Sequence, residues 1–158
     1  MTITQGKQQT KQLAKKKILE KRSEMELAKL EYQRALKSAS QTLTQTEIAS
    51  TAGVSQPSIS DALKTAAKVE ECKEGFSGGS VHEIILRYNA GQLPKAKLVE
   101  ELSSWEYEKP GVADSLDGLL VDLPNTFREV ESALLKGMID SDIYDAVLAC
   151  LGKRKSTK

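Results

Sequence analysis

The chain's 158 residues allow one domain or two small ones, and with only 4% aromatic residues any core must be built from Leu, Ile, Val and Ala, which favours helices packing on helices. No apolar run approaches the ~20 residues that cross a bilayer, and the lysine-rich start lacks a signal-peptide core, so a cytoplasmic protein without membrane contact is expected. The net charge of +1 conceals a division: residues 1–65 carry 11 Lys and Arg against 6 Asp and Glu, residues 66–152 carry 8 against 16, and the tail from Lys153 to Lys158 adds four positive charges.

Residues 1–9 have no pattern and read as frayed. From Thr10 to Ala39 there is neither Pro nor Gly, and Leu13, Ile18, Met25, Ala28, Tyr32, Ala35 and Ala39 approximate one apolar stripe at helical spacing. This predicts a long helix whose C-terminal part packs through Leu30, Tyr32 or Leu36 onto two shorter helices after residue 44 and closes their core. Its N-terminal part, with Lys7, Lys11, Lys15, Lys16, Lys17, Lys21 and Arg22, is too basic to pack alone. Three readings stand there: an arm along a phosphate backbone, a helix that pairs with a second copy, or an ordinary solvated helix.

Residues 45–64 carry the densest signal. Thr44 and Glu47 form an S/T-x-x-E capping box at the start of a short helix. Ala49 is small enough for a second helix to cross closely, and Gly53 tolerates the positive φ of a tight reversal. Ser55 is an N-cap and Pro57 sits near the first helical position, where a missing N–H costs nothing. Ile48, Ala52, Val54, Ile59 and Leu63 are spaced to share a small core, which leaves Gln56, Ser58, Ser60, Asp61 and Lys64 facing outward. The second helix is expected to continue through residues 65–75.

The segment from Ala49 to Ser60, A-S-T-A-G-V-S-Q-P-S-I-S, resembles the helix-turn-helix of bacterial and phage repressors of the Cro and LacI kind, in which A-x-x-x-G-[VI]-S-x-x-x-[IV]-S recurs. The resemblance covers about twenty residues and implies that the helix from Gln56 enters the major groove of double-stranded DNA. It places Gln56, Ser58, Ser60, Asp61 and Lys64 at base edges, Thr44, Gln45, Ser55, Lys11, Lys15, Lys16 and Arg22 at phosphates, and Ala49, Gly53, Val54 and Ile59 in the motif's own framework. Asp61 departs from a helix that should meet phosphates. It can accept from cytosine N4, orient a neighbouring Lys, or face away from the groove.

The glycines of residues 75–80, G-F-S-G-G-S, read as a flexible linker, because no G-x-G-x-x-G or GKS accompanies them to make a phosphate-cradling loop. Beyond it, residues 81–102 align on residues 127–148 without gaps at an offset of 46: Glu83 falls on Glu129, Gly91 on Gly137, Leu93 on Ile139 and Leu102 on Leu148. Each copy reads as a helix, a glycine C-cap, an apolar plug and a second helix. The hairpins loosely resemble the G-x-[LI]-[ST]-x-x-x-[FY] hairpins of small bacterial antitoxins, where such a unit binds a partner protein. Between them Trp105, Tyr107 and Pro110 are expected to pack across the hairpins, Trp105 as core or as a partner's anchor, with Leu119, Leu120 and Val121 as a short extended stretch.

The inventory for catalysis is poor. His82 is the single histidine, no HExxH, GxSxG or CxxC occurs, Cys72 and Cys150 have no ligand-spaced neighbours, and Asp114, Asp117 and Asp122 are spaced unlike a calcium loop. Neither an enzyme nor a cofactor or metal is expected. The expected architecture is mainly α: residues 1–74 as a long basic helix and a tri-helical helix-turn-helix domain, residues 75–80 as linker, residues 81–152 as an acidic domain of two hairpins, and residues 153–158 as a basic tail. The expected function is a sequence-specific transcriptional regulator, a repressor of phage, plasmid or antitoxin type acting as a homodimer on DNA. The alternatives are an antitoxin or inhibitor whose residues 81–152 hold a protein partner, and an architectural or partition protein.

Overall fold

A computed structural model describes residues 3–109 and 124–156. The described residues form seven helices, α1 Ile3–Ala39, α2 Gln45–Ala52, α3 Gln56–Ala66, α4 Val81–Asn89, α5 Lys95–Ser104, α6 Arg128–Leu135 and α7 Ser141–Ser156, so the protein is mainly α. Pro110, Asp114, Asp117, Leu119, Leu120, Val121 and Asp122 lie outside the described residues. None of the described helices is long and apolar enough to cross a membrane. The chain divides into two compact units, Glu24–Glu71 and Met1–Ser23 with Cys72–Lys158. The division therefore falls at residue 71 rather than in the glycine-rich segment, and it also passes through α1.

Helix α1 starts at Ile3, seven residues earlier than expected. Its opening residues include Gln, Lys and Thr with no Pro, and the Thr10 hydroxyl donates back to the Gly6 carbonyl at 2.8 Å. Most of the apolar stripe read from its sequence is exposed, although Ala39 at its C-terminal end packs against the core of α2 and α3. Leu13, Ile18, Met25 and Tyr32 are exposed, whereas Ser23, Leu27 and Leu36 are buried. Sequence periodicity identified an apolar side but could not reveal which side finds a partner within one chain.

In the unit Glu24–Glu71, Leu36 of α1 meets Ile48 and Ala49 of α2 and Ile59 of α3, with Ala39, Ala62 and Leu63 packed around them. Thr44 caps α2 in a complete capping box: its hydroxyl accepts from the Glu47 N–H at 3.2 Å, and the Glu47 carboxylate accepts from the Thr44 N–H at 2.8 Å. The helix ends at Gly53, whose φ of 70° is left-handed, and the Val54 N–H reaches back to the Ala49 carbonyl at 3.0 Å. Val54 thus serves the reversal through its backbone. Its side chain is exposed, against the inward position expected for it, and Ala52 is exposed as well. Leu36, Ile48, Ala49 and Ile59 already close a core this small.

Helix α3 is capped by Ser55, whose hydroxyl accepts from the Ser58 N–H at 3.3 Å, and it stops at Ala66 instead of running on to residue 75. Two cations of α1 take the carbonyls beyond its end. Arg34 donates to the Glu70 carbonyl at 2.7 and 3.2 Å, and Lys37 to the Val69 carbonyl at 3.3 Å, so these carbonyls beyond the helix end are satisfied from α1.

In the other unit α4 packs on α5 and α6, α5 on α7, and α6 on α7. Ile84 and Val130, and Leu93 and Ile139, are equivalent buried pairs of the repeat, and Gly91 and Gly137 both adopt positive φ, at 78° and 74°. The match slips after the turns. Val147 rather than Leu148 is buried opposite the role of Leu102, so the second copy's closing helix is rotated by one residue. Trp105 lies in this core with its ring edge-on to Phe76 at 4.9 Å and the Lys73 ammonium 4.6 Å above its face, which excludes it as an exposed anchor.

The segment expected as a flexible linker is a clamp. The Ser77 N–H and hydroxyl donate to the buried Glu101 carboxylate at 2.6 and 3.0 Å, and the Gly79 N–H donates to the buried Glu83 carboxylate at 3.0 Å. Arg87 grips the other oxygen of Glu83 with two nitrogens at 2.7 and 3.2 Å. A Cβ on Gly78 would sit 2.9 Å from the Glu83 side chain, so the glycine there permits a close approach rather than looseness. The N–H groups of Ser77 and Gly79 are engaged with carboxylates, and the segment is no phosphate cradle.

Three substitutions test these frameworks. Arg87→Met strands the Glu83 carboxylate, which is 1% exposed, and should destabilise this unit by about 3 kcal/mol in urea unfolding; a loss under about 1 kcal/mol contradicts the buried pair. Gly53→Ala meets open space but keeps a left-handed φ, so it should cost about 1–2 kcal/mol, whereas Ala49→Leu should unfold the Glu24–Glu71 unit outright.

Candidate nucleic-acid interface

Gly53, Val54 and Ser55 join α2 to α3, and the outer side of α3 is polar. Gln56, Ser58, Asp61 and Lys64 are exposed and Ser60 is half-buried, so the five residues expected at base edges are collected on one short helix. At helical spacing the same side continues to Thr65, which is exposed and which sequence reasoning omitted although its i+4 relation to Asp61 could have found it.

The Gln56 amide is held from the preceding helix. Its Nε2 donates to Oε1 of Gln45 at 2.7 Å, joining the first residue of α3 to the first residue of α2. Both side chains were expected to touch DNA, Gln45 at a phosphate and Gln56 at a base, but the bond between them was not foreseen. An eleven-residue separation carries no local periodicity that would announce it. The bond uses one N–H of Gln56 and one lone pair of Gln45, so the Gln56 Oε1, its second N–H and both Gln45 N–H groups keep further hydrogen-bonding capacity on two exposed residues.

Ser58 is less independent. Its hydroxyl lies 2.8 Å from the Ser55 hydroxyl, so it shares in capping α3. Asp61 is paired with Lys64 one turn on, at 4.0 Å and with both side chains largely exposed, which makes the carboxylate a partner of the lysine on the same outward side. An exposed pair at this distance contributes under about 1 kcal/mol and can be opened by a ligand.

Lys11, Lys15, Lys16 and Arg22 belong to the other compact unit, on the N-terminal part of α1. There Lys15, Lys16 and Arg22 line a shallow groove with Leu135 and Lys136. The charge follows this division more sharply than the sequence halves indicate. Residues 1–23 hold seven Lys and Arg and one Glu, while residues 24–71 hold five Lys and Arg against seven Asp and Glu. The unit with α2 and α3 is thus slightly acidic, and the basic strip lies on the first part of α1.

Comparison of the chain with protein-family models, with curated proteins and with solved structures finds no match.

His82 is exposed on α4 and lines a small pocket with Arg128, Glu129, Ser132 and Lys136. Burial raises the Glu129 carboxyl, opposed by its hydrogen bond from the Asn125 N–H and by His82, and burial followed by Glu129 pushes the Tyr107 phenol up. Among the described residues no group of three or more His, Cys, Asp or Glu could hold a metal ion.

One titration bears on the interface. The Glu47 carboxyl is held below the ordinary carboxylate range, first by the Thr44 N–H and then by the Thr44 hydroxyl. A carboxyl depressed in the folded state stabilises above its unfolded pKa and loses that contribution as pH falls through the folded value. The stability difference between the native chain and Glu47→Ala should accordingly shrink between ~pH 6 and ~pH 3, read as converging urea midpoints; a difference that grows on acidification contradicts the capping role.

Proposed function

We propose that residues 44–65 read a DNA site from the major groove and that the protein is a transcriptional regulator, a repressor of phage, plasmid or antitoxin type. The observation that carries this reading is the combination of a capped α2, a left-handed glycine reversal and a short polar helix whose leading amide is fixed by a Gln45–Gln56 hydrogen bond. A glutamine amide offers one donor and one acceptor to the adenine edge in the major groove. A restrained amide loses less rotamer freedom on contact than a free one, so the bond favours discrimination as well as position. The N–H groups of Gln45 then face the phosphate side of the same contact.

Grip and reading are divided between the two ends of α1. With five cations against seven anions, the Glu24–Glu71 unit has little electrostatic attraction for a polyanion, and the seven cations of residues 1–23 supply it. A single recognition helix of 11 residues reaches only a few base pairs, so specific affinity in the usual range calls for a homodimer on a pseudo-palindromic site. The reading is that of a binding protein with no catalytic step and no cofactor.

Selection of bound sequences from random double-stranded DNA tests it. The expected outcome is an enriched site with twofold symmetry. Gln56→Ala should then relax preference at one or two positions per half-site by about 1–3 kcal/mol, while Lys15→Ala should weaken all sequences alike and lower the salt slope by about 1. No enrichment, or a uniform loss from Gln56→Ala on every sequence, overturns the assignment.

A further inference from the structure

Helix α1 is covered by its own chain over only part of one apolar side. Leu36 and Ala39 on that side pack against α2 and α3, but toward the N-terminus the same side continues as Ala35, Tyr32, Ala28 and Met25, all exposed among the described residues. Met25 is 65% exposed and Tyr32 47%. These four residues alternate at steps of three and four, which places Met25 and Tyr32 at the a positions and Ala28 and Ala35 at the d positions of a heptad repeat. A large residue at a and an alanine at d make a shallow relief into which an identical relief can interlock.

The charges beside the stripe determine what fits it. One edge carries Glu24 and Glu31 and the other carries Lys29. In a parallel pair of helices each acidic edge faces the partner's basic edge, so Glu24 of each copy meets Lys29 of the other, and the contact occurs twice by symmetry. In an antiparallel pair like edges meet, carboxylates against carboxylates. Toward the N-terminus the same register brings Lys21 into the seam and sets Lys17 opposite Arg22, and this repulsion ends the pairing before the basic segment.

We propose that the stripe Met25–Ala35 of α1 is a self-association surface that pairs with the same stripe of a second copy, parallel and in register. The pairing deepens the homodimer named above and rests on that reading for its purpose, since the stripe and α3 belong to the same compact unit and a twofold axis through the stripe duplicates the recognition helix. The seam spans about two heptads, so the dimer forms reversibly with concentration rather than permanently.

The test uses the full chain without DNA. Sedimentation velocity across a concentration series should show a monomer–dimer equilibrium that Met25→Glu abolishes while circular dichroism stays unchanged, as befits an exposed position. Glu24→Lys and Lys29→Glu should each weaken self-association roughly tenfold, and the double reversal should restore it. With the exposed Cys72 and Cys150 replaced by Ser, Met25→Cys should form a disulfide-linked dimer under mild oxidation and Ser38→Cys, off the stripe, should not. A chain that stays monomeric throughout, or a dimer indifferent to Met25→Glu, overturns the proposal. Linkage only in mixtures of Met25→Cys with Ala35→Cys overturns the parallel arrangement. A monomer that still selects a DNA site sinks the pairing and spares the DNA reading, whereas a dimer that selects none does the reverse.

Discussion

The methyl group of Ala49 sets how closely α2 and α3 can pack. It lies buried with Ile48, Ile59 and Leu36 in a core of only four fully covered side chains, so there is no slack into which a larger residue could be accommodated. The left-handed Gly53 then returns the chain within three residues, and the Val54 N–H ties the reversal back to the Ala49 carbonyl. The polar side of α3, the fixed Gln56 amide and the exposure of Lys64 all result from that closure. Each is a consequence of where α3 is allowed to lie.

The other unit is held by a different constraint, two carboxylates folded inward. Burying Glu83 and Glu101 is unfavourable unless every lone pair is matched, and the chain matches most of them with Ser77, Gly79 and Arg87. Among the described residues one oxygen of Glu101, Oε2, has no hydrogen-bond partner. Glycine at 78 serves this arrangement because a side chain there would collide with Glu83. Part of the acidity of residues 66–152 is therefore internal, and the surface of that unit is less negative than its composition.

The cations are concentrated on the first part of α1, whereas the polar side of α3 lies in a unit with a slight negative surplus. On the proposed function, discrimination would depend on contacts that only the correct sequence supplies, while the basic strip would contribute affinity that salt removes.

Local features were legible in the sequence because they depend on neighbours a few residues apart. The capping box at Thr44, the reversal at Gly53, the cap at Ser55 and the paired glycine turns at Gly91 and Gly137 are fixed by short-range hydrogen bonds and by the sterics of φ, and the mainly α class comes from their spacing. What only the tertiary structure decided concerns partners far apart in the chain. The outward side of α1, the exposed Val54, the end of α3 under Arg34 and Lys37, the Gln45–Gln56 bond and the clamp of residues 77–79 on Glu83 and Glu101 each need a second segment to be brought up before they exist. Glycines and serines in a row read as freedom until a buried carboxylate accepts from their N–H groups, and periodicity marks an apolar side without saying what covers it.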